Sequence, residues 1–272
     1  MSTYSFQGKQ IYYEVHGSGK PLILLNGIMM STMSWQIFVK ALSQNNQLIL
    51  LDFLDQGKSD KFTETYTHDL QVQVLKGLIE ELGLSKVNLV GISYGGEIAL
   101  NFAVQYQHMV DRMVIFNASY RTSPWLKDIG DAWNLSAGDA MNYYLTTIPV
   151  IYSPQFYNTH RQFMEERKKL LVSMVFNQEP FMESMVRLTK SSEEHDVEKQ
   201  LKDLNVRTLI VSSENDFITP KEEQETMHQL MPCSDLVVLP KTGHASMYEK
   251  PALFTTLVLG FINASDLDMT IL

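Results

Sequence analysis

The chain has little cysteine. Cys233 is the single one in 272 residues, so no intramolecular disulfide can form and the composition suits a reducing compartment. Cys233 follows Met231-Pro232 at the edge of a strand-like run, where a buried, inert thiol is expected. Long apolar runs are also missing; none approaches the ~20 residues that a spanning helix needs. Residues Met1 to Phe6 show no basic segment leading into an apolar stretch, so no signal peptide is expected and the reading is a cytoplasmic protein without a transmembrane segment. Positive charge is in deficit, with 22 Lys and Arg against 31 Asp and Glu. A net charge of −9 argues against a surface for nucleic-acid phosphates. No two histidines have metal-ligand spacing, and neither a metal nor another cofactor is expected. There is no internal repeat and no low-complexity tract.

What is present is a hydrophobic fraction of 44%, enough for a sizeable core in one large domain or one domain with an insertion. Two short alternating segments, Thr3–Gln7 and Gln10–Val15, read as a hairpin joined at Gly8-Lys9. Continuous apolar runs at 21–25, 48–51, 87–90, 113–116, 208–211 and 236–239 read as strands buried on both faces. Segments of helical spacing separate them, at 35–43, 66–82, 94–107, after Thr219-Pro220, and at 251–262. Gly83 is placed to cap the second of these, and Thr219 the fourth. Strands alternating with helices predict an α/β fold with a mostly parallel sheet covered on both faces. The rhythm breaks between 119 and 204, a stretch rich in helix formers, aromatics and methionine. The expected organisation is a core of residues 1–118 and 205–272 with a helical cap inserted at 119–204.

Gly91-Ile92-Ser93-Tyr94-Gly95-Gly96 lies between a buried strand and a helix. That is the setting of a G-x-S-x-G nucleophile elbow, whose sharp turn presents the serine at a helix N-terminus. Small residues at Gly91, Gly95 and Gly96 let strand and helix nearly touch. A serine hydroxyl needs a base, and the base needs an acid that fixes its tautomer. His244, in Gly243-His244-Ala245 after the last strand, is the candidate base. Asp216, in the loop after the preceding strand, is the candidate acid. Both emerge at the carboxyl edge of the sheet, as Ser93 does, where such folds bind ligands. Two backbone N–H groups should hold the oxyanion, one from Tyr94 and one from Ile28, in the loop Asn26-Gly27-Ile28-Met29-Met30. Met29, Met30 and Met33, with Trp125 and Met247, are candidates for an apolar acyl pocket. Glu165-Glu166-Arg167-Lys168-Lys169 reads as a solvated helix face, and Glu193-Glu194-His195-Asp196 as a loop or helix start without a role.

The elbow, Asp216, Gly243-His244 and the loop Asp52-Phe53-Leu54-Asp55-Gln56-Gly57-Lys58-Ser59 resemble the α/β-hydrolase superfamily over nearly the whole chain except 119–204. The chain order Ser93, Asp216, His244 is that of the superfamily. The resemblance implies an eight-stranded sheet with its second strand antiparallel, and a variable helical cap. Two positions depart from the pattern: Asn26 stands where His is usual before Gly27, and Gln56 where glycine is usual. Asn26-Gly27 followed by a polar stretch and an aromatic is also similar to the acyltransferases that make the lipid precursor of rhamnolipids. The leading expectation is a serine hydrolase, carboxylesterase-like, acting on an ester or related acyl compound whose small-molecule substrate is apolar. The alternatives are transfer of a (hydroxy)acyl group to an alcohol or thiol, and a ligand-binding protein on this fold with little turnover.

Overall fold

The structure, a computed structural model, describes residues 2–265. Eight strands form one sheet in the order β1-β2-β4-β3-β5-β6-β7-β8. They are β1 (Ser2–Phe6), β2 (Lys9–His16), β3 (Lys20–Leu25), β4 (Asn46–Leu51), β5 (Val87–Ile92), β6 (Val110–Phe116), β7 (Arg207–Ser213) and β8 (Ser234–Leu239). β2 runs antiparallel to both β1 and β4, and every other pairing is parallel. The hairpin loop is Gln7-Gly8, one residue earlier than the sequence suggests. Both residues have positive φ, 48° and 80°, as a two-residue hairpin turn matching the strand twist requires.

The continuous apolar runs are explained by the two faces they serve. Leu22, Leu24, Leu48, Leu50, Val90, Val114, Phe116, Leu209 and Val211 face one core. Their neighbours Ile23, Leu25, Ile49, Leu51, Leu89, Met113, Ile115 and Ile210 face the other. Period-two alternation thus divides each run between two layers of helices. On the first face lie α1 (Gln36–Leu42) and, at the chain's end, the helix Pro251–Asn263, through Phe38, Leu42, Phe254, Val258 and Ile262. On the second lie α2 (His68–Glu81) and α3 (Tyr94–Tyr106), through Val72, Leu75, Ile98 and Phe102. α2 stops where Gly83 takes a φ of +63° and Leu84 N–H returns to the Ile79 carbonyl, a Schellman closure.

Between β6 and β7 the chain forms α4 (Pro124–Ser136), α5 (Ala140–Ile151), α6 (Pro154–Thr159), α7 (Arg161–Leu170), which continues through a π-turn at Leu171–Val175, α8 (Glu179–Ser191) and the short α9 (Glu198–Leu201). The segment leaves and rejoins the core at one place. Thr122 N–H donates to the His195 carbonyl at 2.8 Å, and Val197 N–H to the Tyr120 carbonyl at 3.0 Å. A second attachment is a buried ion pair: the Arg187 guanidinium of α8 donates through Nη2 and Nε to the Asp55 carboxylate at 2.8 and 3.1 Å. Tyr66 Oη and Ser184 Oγ donate to the same carboxylate.

After β7 come α10 (Lys221–Leu230) and, past β8, α11 (Ser246–Glu249), with the Pro251–Asn263 helix as α12. α10 begins after Pro220 rather than at it, and the Thr219 side chain does not cap it. Cys233 is exposed, contrary to the buried thiol expected. It sits in the turn before β8 and contributes only its carbonyl to the sheet, accepting from Thr208 N–H at 2.9 Å.

Candidate active site

Ser93 sits between β5 and α3 with φ 51° and ψ −122°, a conformation that costs a non-glycine residue on the order of 1–3 kcal/mol. Hydrogen bonds on both sides hold it there. Its N–H donates to the Phe116 carbonyl at 2.9 Å, and its carbonyl accepts from Gly96 N–H at 2.7 Å and Glu97 N–H at 3.0 Å. The glycines are steric necessities: a Cβ on Gly95 would strike the Leu25 carbonyl, one on Gly91 the Gly95 backbone, and one on Gly96 the Ala118 side chain. Any larger residue would open the angle between strand and helix.

His244 Nδ1 lies 2.8 Å from Asp216 Oδ2, both side chains buried. Asp216 is held on all sides. Oδ1 accepts from Ile218 N–H at 2.8 Å and Thr219 N–H at 3.0 Å, and Oδ2 accepts the Thr219 hydroxyl at 3.0 Å. A carboxylate so held makes Nδ1 the protonated nitrogen of a neutral His244 and leaves Nε2 as the basic one. Asn117 Nδ2 donates to the His244 carbonyl at 2.7 Å and fixes its loop.

Two cavities meet at Ser93. The larger, about 90 Å³, is lined by His244, Met29, Met30, Met247, Phe176 and Arg167, among others. The smaller, about 50 Å³, is lined by Tyr94, Glu97, Thr122, Ile129 and Ile218. Ile28 lines both. Tyr94 is the first residue of α3, so its N–H is one of those that helix geometry leaves without an internal partner. Met29, Met30 and Met247 line the larger cavity. Trp125 and Met33 do not: they are 55% and 65% exposed and line neither cavity. Trp125 spends its indole N–H on the Phe217 carbonyl at the surface.

The two departures from the superfamily pattern touch each other. Asn26 is fully buried and donates to the Leu51 carbonyl at 2.8 Å and to Gln56 Oε1 at 3.0 Å, while accepting the Trp35 indole N–H at 2.6 Å. Gln56 Nε2 in turn donates to the Gly27 carbonyl at 2.9 Å. The Gln56 amide thus braces the Ile28 loop, and Asn26 holds that amide in place. Below them, Asp52 accepts Thr32 N–H at 2.6 Å and Lys58 N–H at 2.9 Å, and burial raises its pKa.

Several residues at the site carry no motif. Arg167 is not on a solvated face; its guanidinium packs 4.7 Å from the Tyr248 ring centroid at the wall of the larger cavity. The rings of His68 and His195 lie 5.0 Å apart behind Glu97, tilted 54° to each other. His195 accepts from Asn101 Nδ2 at 3.0 Å and donates through Nε2 to the Ser119 carbonyl at 3.1 Å, which requires the neutral ring. Burial lowers its pKa to about 4 and holds His68 well below its ordinary value. Glu97 was findable in the sequence, because the fourth residue after Ser93 on α3 returns to the same helix face.

Residues 20–251 match the sequence pattern of the alpha/beta hydrolase fold. The chain belongs to that family. Within this family it is similar to MGS-M2, an alpha/beta hydrolase enzyme from a Medee basin deep-sea metagenome library. The identity is 50% and the TM-score 0.97, covering 99% of this chain and all of that one. It is 26% identical to the 2-hydroxy-6-oxo-2,4-heptadienoate hydrolase of Pseudomonas putida, over 92% of this chain and 91% of that protein. A thermophilic esterase from Thermogutta terrifontis shares the fold at 24% identity and a TM-score of 0.82, covering 96% of each chain. The eight strands and antiparallel second strand that the resemblance implies are those seen here.

Proposed function

We propose that this α/β hydrolase is a serine hydrolase that cleaves a small carboxylic ester through an acyl-enzyme on Ser93. The observation that carries the reading is the strained Ser93 sharing a cavity with His244, whose far nitrogen is fixed 2.8 Å from Asp216. In this scheme His244 Nε2 takes the Ser93 proton as Oγ attacks the carbonyl carbon. The N–H groups of Ile28 and Tyr94 receive the oxyanion, and Asp216 steadies the imidazolium. His244 then gives its proton to the departing alcohol, and a water activated by His244 releases the acid. The helices between β6 and β7 act as the cap, roofing both cavities.

His244 must reach the leaving oxygen, and it lines the larger cavity. The alcohol side therefore occupies the larger, methionine-rich arm, and the acyl group the smaller one. This reverses the sequence expectation that Met29 and Met30 embrace the acyl chain. The test is hydrolysis of p-nitrophenyl esters of two to twelve carbons by wild type and Ser93→Ala. Turnover should favour short acyl chains and fall on the order of a millionfold in kcat without the hydroxyl. Equal turnover by both proteins would sink the assignment.

A second reading has its own support. The similar Pseudomonas putida protein is named for an oxo-dienoate substrate, and Arg167 places a cation in the larger arm. Hydrolysis of a carbon–carbon bond beside a ketone, with the substrate carboxylate against Arg167, runs on the same triad. Consumption of 2-hydroxy-6-oxo-2,4-heptadienoate faster than of any ester would favour it.

A further inference from the structure

Glu97 is a carboxyl at the active site that the proposed mechanism does not use. It stands one turn beyond Ser93 on α3, lines the smaller cavity with Ser93 and Tyr94, and is 4% exposed. A carboxylate so buried is costly unless it is paired and hydrogen-bonded. Its partners are sparse. Oε1 accepts the Ser119 hydroxyl at 3.0 Å. Oε2 has His68 Nε2 at 3.5 Å, and burial keeps that ring neutral. The charged groups that act on it are His244, which favours the carboxylate, and Glu223, which opposes it; no Lys or Arg is among them. Burial raises its pKa to about 7. Its immediate surroundings in this cavity are mixed: Ile28, Leu126, Ile129 and Ile218 supply apolar wall, and Thr122 and Thr189 supply hydroxyls.

We propose that Glu97 is a specificity-determining residue, and that it makes the smaller cavity a subsite for a short acyl group carrying its own hydrogen-bond donor, above all a hydroxyl. The inference rests on the ester-hydrolase reading and on the acyl group entering this arm. Its chemistry is that of a buried polar group that waits for a partner. A hydroxyl at the second or third carbon satisfies the free oxygen of Glu97. A methyl group in the same place drives out water and leaves that oxygen unpaired. Sites built to receive a substrate hydroxyl reject the analogue without one far more strongly than apolar pockets discriminate by size. About 50 Å³ leaves room for only a few heavy atoms, so the favoured acids are short.

The experiment compares ethyl 2-hydroxypropanoate with ethyl 2-methylpropanoate, and ethyl 3-hydroxybutanoate with ethyl 3-methylbutanoate, using both enantiomers of each hydroxy ester. The readout is the ratio of kcat/KM within each pair, for wild type, Glu97→Gln and Glu97→Leu. Wild type should prefer one hydroxy ester by roughly tenfold or more. Glu97→Leu should erase that preference, kcat/KM for the hydroxy ester falling roughly tenfold or more further than for its methyl counterpart, and Glu97→Gln, which keeps an acceptor oxygen, should fall between them. Intrinsic reactivity differences between the esters cancel in the wild-type-to-variant comparison. If Glu97 only braces α3 against Ser119, both members of a pair will slow together, and the proposal fails. A wild-type ratio near one in both pairs also overturns it, whether or not Glu97→Leu folds. That result, with Ser93-dependent hydrolysis of the two methyl-branched ethyl esters intact, leaves the esterase reading standing. Absence of turnover for every ester removes both.

Discussion

At the scale of single residues, the site depends on side chains that were legible and on others that were not. Ser93, Asp216 and His244 could be read because each sits in a loop whose neighbours have one evident purpose. Gln56 could not, because its value lies in a partner thirty residues away in sequence, Asn26. Together they hold the Gly27 carbonyl and so aim the Ile28 N–H. Gln56→Gly should therefore lower kcat about 10- to 100-fold with a smaller change in KM, the pattern for a lost oxyanion donor. Asn26→His alone should also be harmful, since histidine cannot supply the same bonds to Leu51 and Gln56. The double variant restores the residues usual in the superfamily and should do better than the sum of the two losses, with a coupling of about 0.5–3 kcal/mol. Additive losses in steady-state kinetics would show that the two amides act independently.

Whole elements tell a different story. The strands were readable nearly to their ends, because residues buried on both faces leave an unbroken apolar run. The helices between β6 and β7 gave no such signal. α4, α5, α7 and α8 each put residues on the two cavities, α6 buries none, and many large side chains there are exposed, including Leu135, Leu145 and Met174. Composition alone could not separate Phe176, which lines the larger cavity, from Phe163, which is 38% exposed. Nor did it reveal what ties α8 to the core. The Asp55 side chain is fully buried and that of Arg187 14% exposed. Removing one partner strands a charge, so Arg187→Met should destabilise by roughly 3–5 kcal/mol. Pairing it with Asp55→Asn, which tolerates the positive φ at that position, should recover part of the loss. Urea unfolding of the three variants checks this; equal stabilities would show the pair to be dispensable.

For the molecule as a whole, the buried histidines set the response to acid. His68 and His195 are neutral when folded, with pKa values below the ordinary 6.5. Above pH 6.5 neither state binds their protons and the full stability is present. As pH falls through 6.5, the unfolded chain takes up protons that the folded chain refuses, and each group removes about 1.4 kcal/mol per pH unit. Glu97 acts in the opposite sense: between 4.5 and 7 the folded chain keeps a proton the unfolded chain releases, so its contribution declines as pH rises. Replacing both histidines with glutamine should thus shrink the drop in unfolding free energy between pH 7.5 and pH 5. An unchanged drop, measured by denaturant titration at both values, would contradict the neutral assignment. Formal charge, legible from the start, predicts none of this, because these groups matter through their burial.

The hydrogen bonds from Thr122 to His195 and from Val197 to Tyr120 make residues 123–194 a detour that begins and ends at the same doorway. Seen from the sheet, that long excursion has the span of a tight turn, and the closure entropy of a chain tied at its base rises only slowly with the length beyond the tie. Beyond the doorway the excursion touches the site loops again, where Ala245 N–H donates to the Ile151 carbonyl at 2.7 Å and Ser153 N–H to Glu249 at 2.6 Å, so only helices away from those points can be lengthened or traded without reaching His244. A change in the excursion can therefore alter one wall of each cavity, while the wall built from the core, Glu97 and Met30 among it, stays in place.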